Sequence, residues 1–114
     1  MSFPITVPTI TPYRSDTLVM TYVFKDGDPL TPIDLVADGW GSWKAQFRPS
    51  EDSATYLEFA IDTTDADQGK VNLSLTATQT ADLTSGVWDL QAVRGEEVRT
   101  WIRGNVKMIE DVTK

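Results

Sequence analysis

Residues 86–113, GVWDLQAVRGEEVRTWIRGNVKMIEDVT, decide the fold class. Two runs rich in Val, Trp, Ile and Thr flank the short polar turn Arg94-Gly95-Glu96-Glu97. Such side chains fit a pleated, half-buried surface, and a glycine-containing turn between them predicts a β-hairpin. In the first run Trp88, Leu90 and Ala92 share a face, opposite Val87, Asp89, Gln91 and Val93. In the second, Val98, Thr100, Ile102, Val106 and Met108 share a face, opposite Arg99, Trp101, Arg103 and Lys107. A two- or four-residue loop pairs residue 93 with 98 and sets Leu90 beside Trp101; an odd loop, or a bulge, sets Leu90 beside Ile102. The second register unites the aliphatic sets and leaves both arginines in water. It is the register expected, with Trp101 facing outward between Arg99 and Arg103.

Outward from this hairpin, strand signals recur at short intervals. Residues 17–24 alternate, with Leu18, Met20, Tyr22 and Phe24 on one face and Val19, Thr21 and Val23 on the other. Both faces are apolar, so this strand is expected to be covered on both sides. Lys25-Asp26-Gly27-Asp28 follows as a turn. Trp43-Lys44-Ala45-Gln46-Phe47-Arg48 has the cleanest period of two, with Trp43, Ala45 and Phe47 inward. Leu57, Phe59 and Ile61 repeat the pattern, as do Val71, Leu73 and Leu75. Thr76 with Gln79 three residues on is a capping-box signature. It predicts one short helical turn near residues 76–83, with Leu75 and Leu83 sealing one end of the core. The spacing predicts an all-β domain over residues 14–114, an Ig-like antiparallel β-sandwich of about seven strands.

Pro4, Pro8 and Pro12, one every four residues, forbid a helix and weaken sheet pairing, because each removes a backbone donor. Residues 1–13 therefore read as an extended arm. It either lies along its own domain as an edge segment, or frayed, or reaches a neighbouring subunit.

A chain of 114 residues is one domain with room for a real core. It has no cysteine, hence no disulfide, thiolate zinc site or thiol nucleophile. It has no histidine, which removes the usual general base and the commonest metal ligand. Catalysis is not expected, and neither are a cofactor or a bound metal. The formal net charge of −7 repels phosphate backbones and anionic lipid, so nucleic acid and membrane surfaces are poor partners. The first residues lack a basic n-region and a long apolar stretch, so no secretory signal is expected and synthesis belongs to the cytosol.

The stripe Arg99, Trp101 and Arg103, extended by Lys107, is the leading candidate contact surface, since Trp and Arg are enriched where partners bind. The plainer alternative is that arginine stems merely cover the indole, with some cation–π gain. Trp40, in the loop Trp40-Gly41-Ser42-Trp43, is a candidate platform for a sugar ring. Residues 62–69, DTTDADQG, resemble a calcium loop, but the EF-hand spacing and its distal Glu are missing, and a solvated turn is expected.

Several segments together resemble structural modules of tailed phages and prophages, in particular the N-terminal Ig-like domain of phage baseplate upper proteins. They are the strand 16–24 with Lys25-Asp26-Gly27, Pro32-Ile33-Asp34-Leu35, and Trp43 to Arg48. Gly69 to Thr76 with Thr80, Gly86 to Gln91, Arg99 to Val106 and the closing Asp111-Val112-Thr113 complete the match, over about residues 14–113. The resemblance implies a non-catalytic virion protein, made in the host bacterial cytoplasm, that docks on other subunits of a tail or baseplate. Homo-oligomers fit that setting. The baseplate proteins continue into helical and receptor-binding-protein-holding parts, which puts a grip on a receptor-binding protein in doubt. Capsid decoration or a head–tail junction is the alternative within this class, and a carbohydrate- or host-surface-binding module the alternative outside it.

Overall fold

The computed structural model describes residues 4–27, 29–54 and 56–109. Met1 to Phe3 of the arm, Asp28 of the first turn, and the tail from Glu110, with Asp111-Val112-Thr113, lie outside the described residues. Among those described the chain is mostly β and forms several sheets. In chain order the strands are β1 (Ile5–Thr6), β2 (Leu18–Val23), β3 (Lys25–Asp26), β4 (Thr31–Pro32) and β5 (Gly41–Arg48). Then come β6 (Leu57–Glu58), β7 (Ala60–Asp62), β8 (Lys70–Leu75), β9 (Gly86–Arg94) and β10 (Glu97–Val106), with the helix α1 (Ala77–Ala81) before β9.

One sheet has the order β1-β10-β9-β5-β6, a second β2-β8-β7, and β3 pairs with β4 in a small hairpin. The chain changes sheets at Phe59: Phe47 faces Leu57 in the first sheet, while Ile61 faces Leu73 in the second. The Phe59 amide still donates to the Ala45 carbonyl at 3.0 Å, and its ring is buried between the two pairings. Aromatic contacts join β9 and β10 to Tyr22 of β2 and to Phe24 and Phe59 just outside the strands. Tyr22 and Phe59 meet Trp88 at 5.7 Å each, and Phe24 meets Trp101 at 4.9 Å.

Trp88 lies flat enough on β10 to require Gly104. A Cβ there would sit 2.7 Å from the indole nitrogen and 3.0 Å from Val7 of the arm. The Trp88 N–H has no acceptor among the described residues, so packing alone holds this ring. Gly69 is fixed differently, by φ of +75° and a Cβ position 2.5 Å from the Phe24 carbonyl oxygen.

The helical turn forms as its signature requires. The Thr76 hydroxyl accepts from the Gln79 amide at 3.2 Å, and the Gln79 side chain accepts from the Thr76 amide at 2.9 Å. Leu75 and Leu83 are fully buried on either side of it. Thr80 is buried with them and donates to the Asp16 carbonyl at 2.7 Å, tying the entry to β2 onto α1.

The arm lies along its own domain. Ile5 and Thr6 run parallel to Ile102 and Arg103, and single bridges continue at Ile10 with Val106 and Tyr13 with Ile109. The Ile10 amide donates to Asn105, and the Lys107 and Ile109 amides donate back to Ile10 and Pro12. Alternating Pro and donor positions make this possible. Pro4 and Pro8 stay exposed, whereas Pro12 is buried.

The hairpin of β9 and β10 combines both registers weighed above. Its turn is even: Arg94 faces Glu97 across Gly95-Glu96, and Val93 faces Val98. A bulge then slips the pairing by one, so that Thr100 faces Gln91 but Ile102 faces Leu90. Trp101 is the extra residue, and the outward orientation expected for it is corrected: Trp101 and Ile102 are both 1% exposed. A bulge places two successive side chains against one partner residue, so the strand changes parity without turning the Trp to water. The expectation of double cover on β2 is also corrected. Val19 and Val23 are 66% and 43% exposed.

Candidate functional site

The bulge divides the Arg99/Trp101/Arg103 stripe. Arg99 stays on the Trp101 side, while Arg103 points outward and pairs with Glu51 across the face of the sheet. Lys107 is exposed beyond the end of β10. Trp40, the candidate platform for a sugar ring, is instead buried, and it meets Trp101 edge-on at 5.2 Å. Trp43 meets the same indole at 5.8 Å, because β5 has its own irregularity between Gly41 and Lys44, with Ser42 at φ of 51°. Two bulges on either side of β9 thus aim Trp43 and Trp101 into one cluster.

This cluster carries a cationic cover. The Arg94 and Arg99 guanidinium carbons each sit 4.5 Å from the Trp40 ring centre, and Arg99 is 5.1 Å from that of Trp101. Glu97 accepts from Arg94 at 2.9 Å and from Arg99 at 3.2 Å, so one carboxylate steadies both. Hydrogen bonding from Arg94, then Arg99, holds the Glu97 carboxyl below its ordinary range. Each stacked guanidinium adds about 0.5–1 kcal/mol at an exposed site. The arginines cover Trp40 from within the chain, which leaves its ring unsuited to a sugar.

Beside this cluster a cavity of about 310 Å³ opens between Val36, Ser42, Trp43, Ile61 and Thr63. A second groove of about 310 Å³ crosses the outer face of the larger sheet, lined by Gln46, Arg48, Glu51, Asp89 and Arg103. Asp89 lies half-buried there, and burial pushes its carboxyl up while Arg48 partly offsets the shift. Arg48 is engaged by the Ser53 carbonyl and by Gln46, and stands over the Tyr56 ring. The acidic run at 62–69 acts as a turn. Asp62 accepts from the Thr64 amide at 2.9 Å and its hydroxyl at 2.6 Å.

The margin at β2 is an exposed strand edge that the residue pattern alone did not single out. β8 pairs with one side of it, and among the described residues no strand pairs with the other. Leu18, Met20 and Tyr22 face inward but are only half-buried, whereas their cross-strand partners Leu75, Leu73 and Val71 are at most 1% exposed. Tyr22 is buried enough that its phenol is pushed above the usual value. Leu18-Val19-Met20-Thr21-Tyr22-Val23 holds no charge and no proline, the devices by which an edge strand ordinarily resists pairing. The signal was present in the sequence as an apolar second face. Burial inside the domain does not account for it, since Val19 and Val23 are exposed. No protein-family model matches the chain, and none of the curated proteins does.

Proposed function

We propose that the chain is a non-catalytic structural subunit of a tailed-phage particle, an adaptor of the tail or baseplate that works by protein–protein contact, built as an Ig-like antiparallel β-sandwich. In this reading β5, β9 and β10 take the places of the C, F and G strands, and β2, β8 and β7 those of B, E and D. The first strand of an Ig domain lies beside B, but here the arm runs along β10 and leaves β2 at the margin. The uncharged β2 edge, with Val19 and Val23 exposed, is the observation that carries the reading. Extended segments add to such edges through main-chain hydrogen bonds, with alternate side chains giving specificity. The Pro-rich arm and the outward Arg103 and Lys107 supply secondary contacts.

Mass spectrometry of gradient-purified particles from the lysate that carries this gene tests the proposal. The protein should be present at a fixed ratio to the tail proteins, and Val19→Lys should lower that ratio at least tenfold. Absence from the particles overturns the reading. A second reading, a carbohydrate- or host-surface-binding module, is favoured by the cavity beside Trp43, whose lining includes Ser42 and Thr63. Glycan-array binding lost in Trp43→Ala would support it.

A further inference from the structure

We infer that the groove on the outer face of the larger sheet binds the guanidinium of an arginine side chain from a partner protein, with Asp89 as its acceptor. The β2 edge belongs to the other sheet and plays no part in it. Strand pairing draws a polar row across all five strands: Glu58 faces Gln46, Gln46 faces Asp89, Asp89 faces Arg103, and Arg103 faces Thr6. Asp89 stands at the middle of that row, on β9. Opposite charges facing across strands ordinarily pair. Here they do not, because Arg103 pairs instead with Glu51 of the loop after β5.

Arg48, the other cation beside Asp89, is also committed. It donates to the Ser53 carbonyl and to Gln46, and its guanidinium carbon lies 4.8 Å from the Tyr56 ring centre. Its charge reaches Asp89 only through space, and burial outweighs it. Among the described residues no hydrogen bond reaches the Asp89 carboxylate. A half-buried charge left so is costly, and a cation brought to it recovers that cost. The groove has room for a long side chain. Its hollow of about 310 Å³ at Asp89 adjoins a second of about 180 Å³ beside Thr6 and Asn105, and both share the Glu51–Arg103 pair. A guanidinium offers a carboxylate two parallel N–H groups and is less hydrated than an ammonium, which suits a half-buried acceptor. Two arginines and two carboxylates make the groove formally neutral. Selection therefore lies in the unfilled acceptor, and the chain's net charge of −7 draws cations toward it.

Titration of the full chain with N-acetyl-arginine amide, followed by NMR amide shifts, tests this. The probe is a single side chain, so the shifts should saturate with Kd on the order of 1–10 mM. They should centre on Gln46, Asp89 and Arg103, which face one another across the groove. Asp89→Asn keeps the shape and removes the charge, and should weaken binding by about fivefold or more. N-acetyl-citrulline amide, an uncharged probe of the same shape, should bind more weakly by a similar factor. Glu96→Gln removes an equal charge about 20 Å along the hairpin, in its exposed turn, and should change Kd by less than about twofold. Shifts that never saturate, or that scatter over the surface, overturn the inference. So does an equal Kd in the wild type and Asp89→Asn, or for the arginine and citrulline probes. A loss in Glu96→Gln as large as that in Asp89→Asn overturns it too, since net charge alone would then be at work.

Discussion

Two margins of this protein meet water differently. At β10 the edge is closed by the arm, whose Ile5, Val7 and Ile10 pack on the core while its prolines leave few amides to offer. Among the described residues the β2 edge has no such cover, and its inward side chains are half-buried. The lesson is that one N-terminal segment can cover only one margin. It covers β10, and among the described residues β2, β6 and β7 stay at the edges of their sheets.

Substitutions can break or sharpen this contrast. The largest effect is expected at Trp101, the bulged residue behind the closed margin. Trp101→Ala should cost about 3–5 kcal/mol in urea unfolding, because it empties a site ringed by Phe24, Trp40 and Trp43. A change near zero would return Trp101 to the outer face and undo the register of that margin. Gly104→Ala comes next, at about 2–3 kcal/mol, since its Cβ drives into the Trp88 indole and Val7. Ile10→Ala should cost about 1 kcal/mol, a half-buried side chain's worth, and should speed hydrogen exchange at Lys107, whose amide bonds to Ile10.

Asp89 adds a pH dependence on the outer face of the closed sheet. Burial holds its carboxyl above 3.8, so the unfolded chain releases this proton first. As pH rises from about 4 through the folded value, the folded state binds more protons and its stability falls. Asp89→Asn should flatten that decline in a series of thermal melts. Val19→Lys, at the open margin, should change the stability of the single chain by no more than about 0.5 kcal/mol. A larger loss would mean that this face is already buried against something within the chain.

The strand sequence, the capping box at Thr76 and the sealing leucines were legible because each rests on local spacing. The meeting of Leu90 with Ile102 was legible too, since uniting aliphatic sets demands it. Trp101 was misplaced because alternation is a rule for regular strands, and a bulge suspends it at one residue. Trp40 was misplaced because its cover comes from Arg94 and Arg99, more than 50 positions away. The arm's two placements could not be separated, since prolines state what a segment cannot do and leave its neighbour open. On β2, Val19 and Val23 made a second apolar face legible, but no local pattern tells whether such a face is covered within its own chain, and these two side chains are exposed.

The parallel run of the arm beside β10 also has a mechanical consequence. Ile5 lies by Ile102 and Tyr13 by Ile109, so tension applied to the arm from its N-terminal side and to β10 from its C-terminal side pulls these neighbours past each other in shear. All of their cross-links would share the load at once instead of opening one after another. Stretched from both sides, the domain would thus resist extension first at its least ordinary strand.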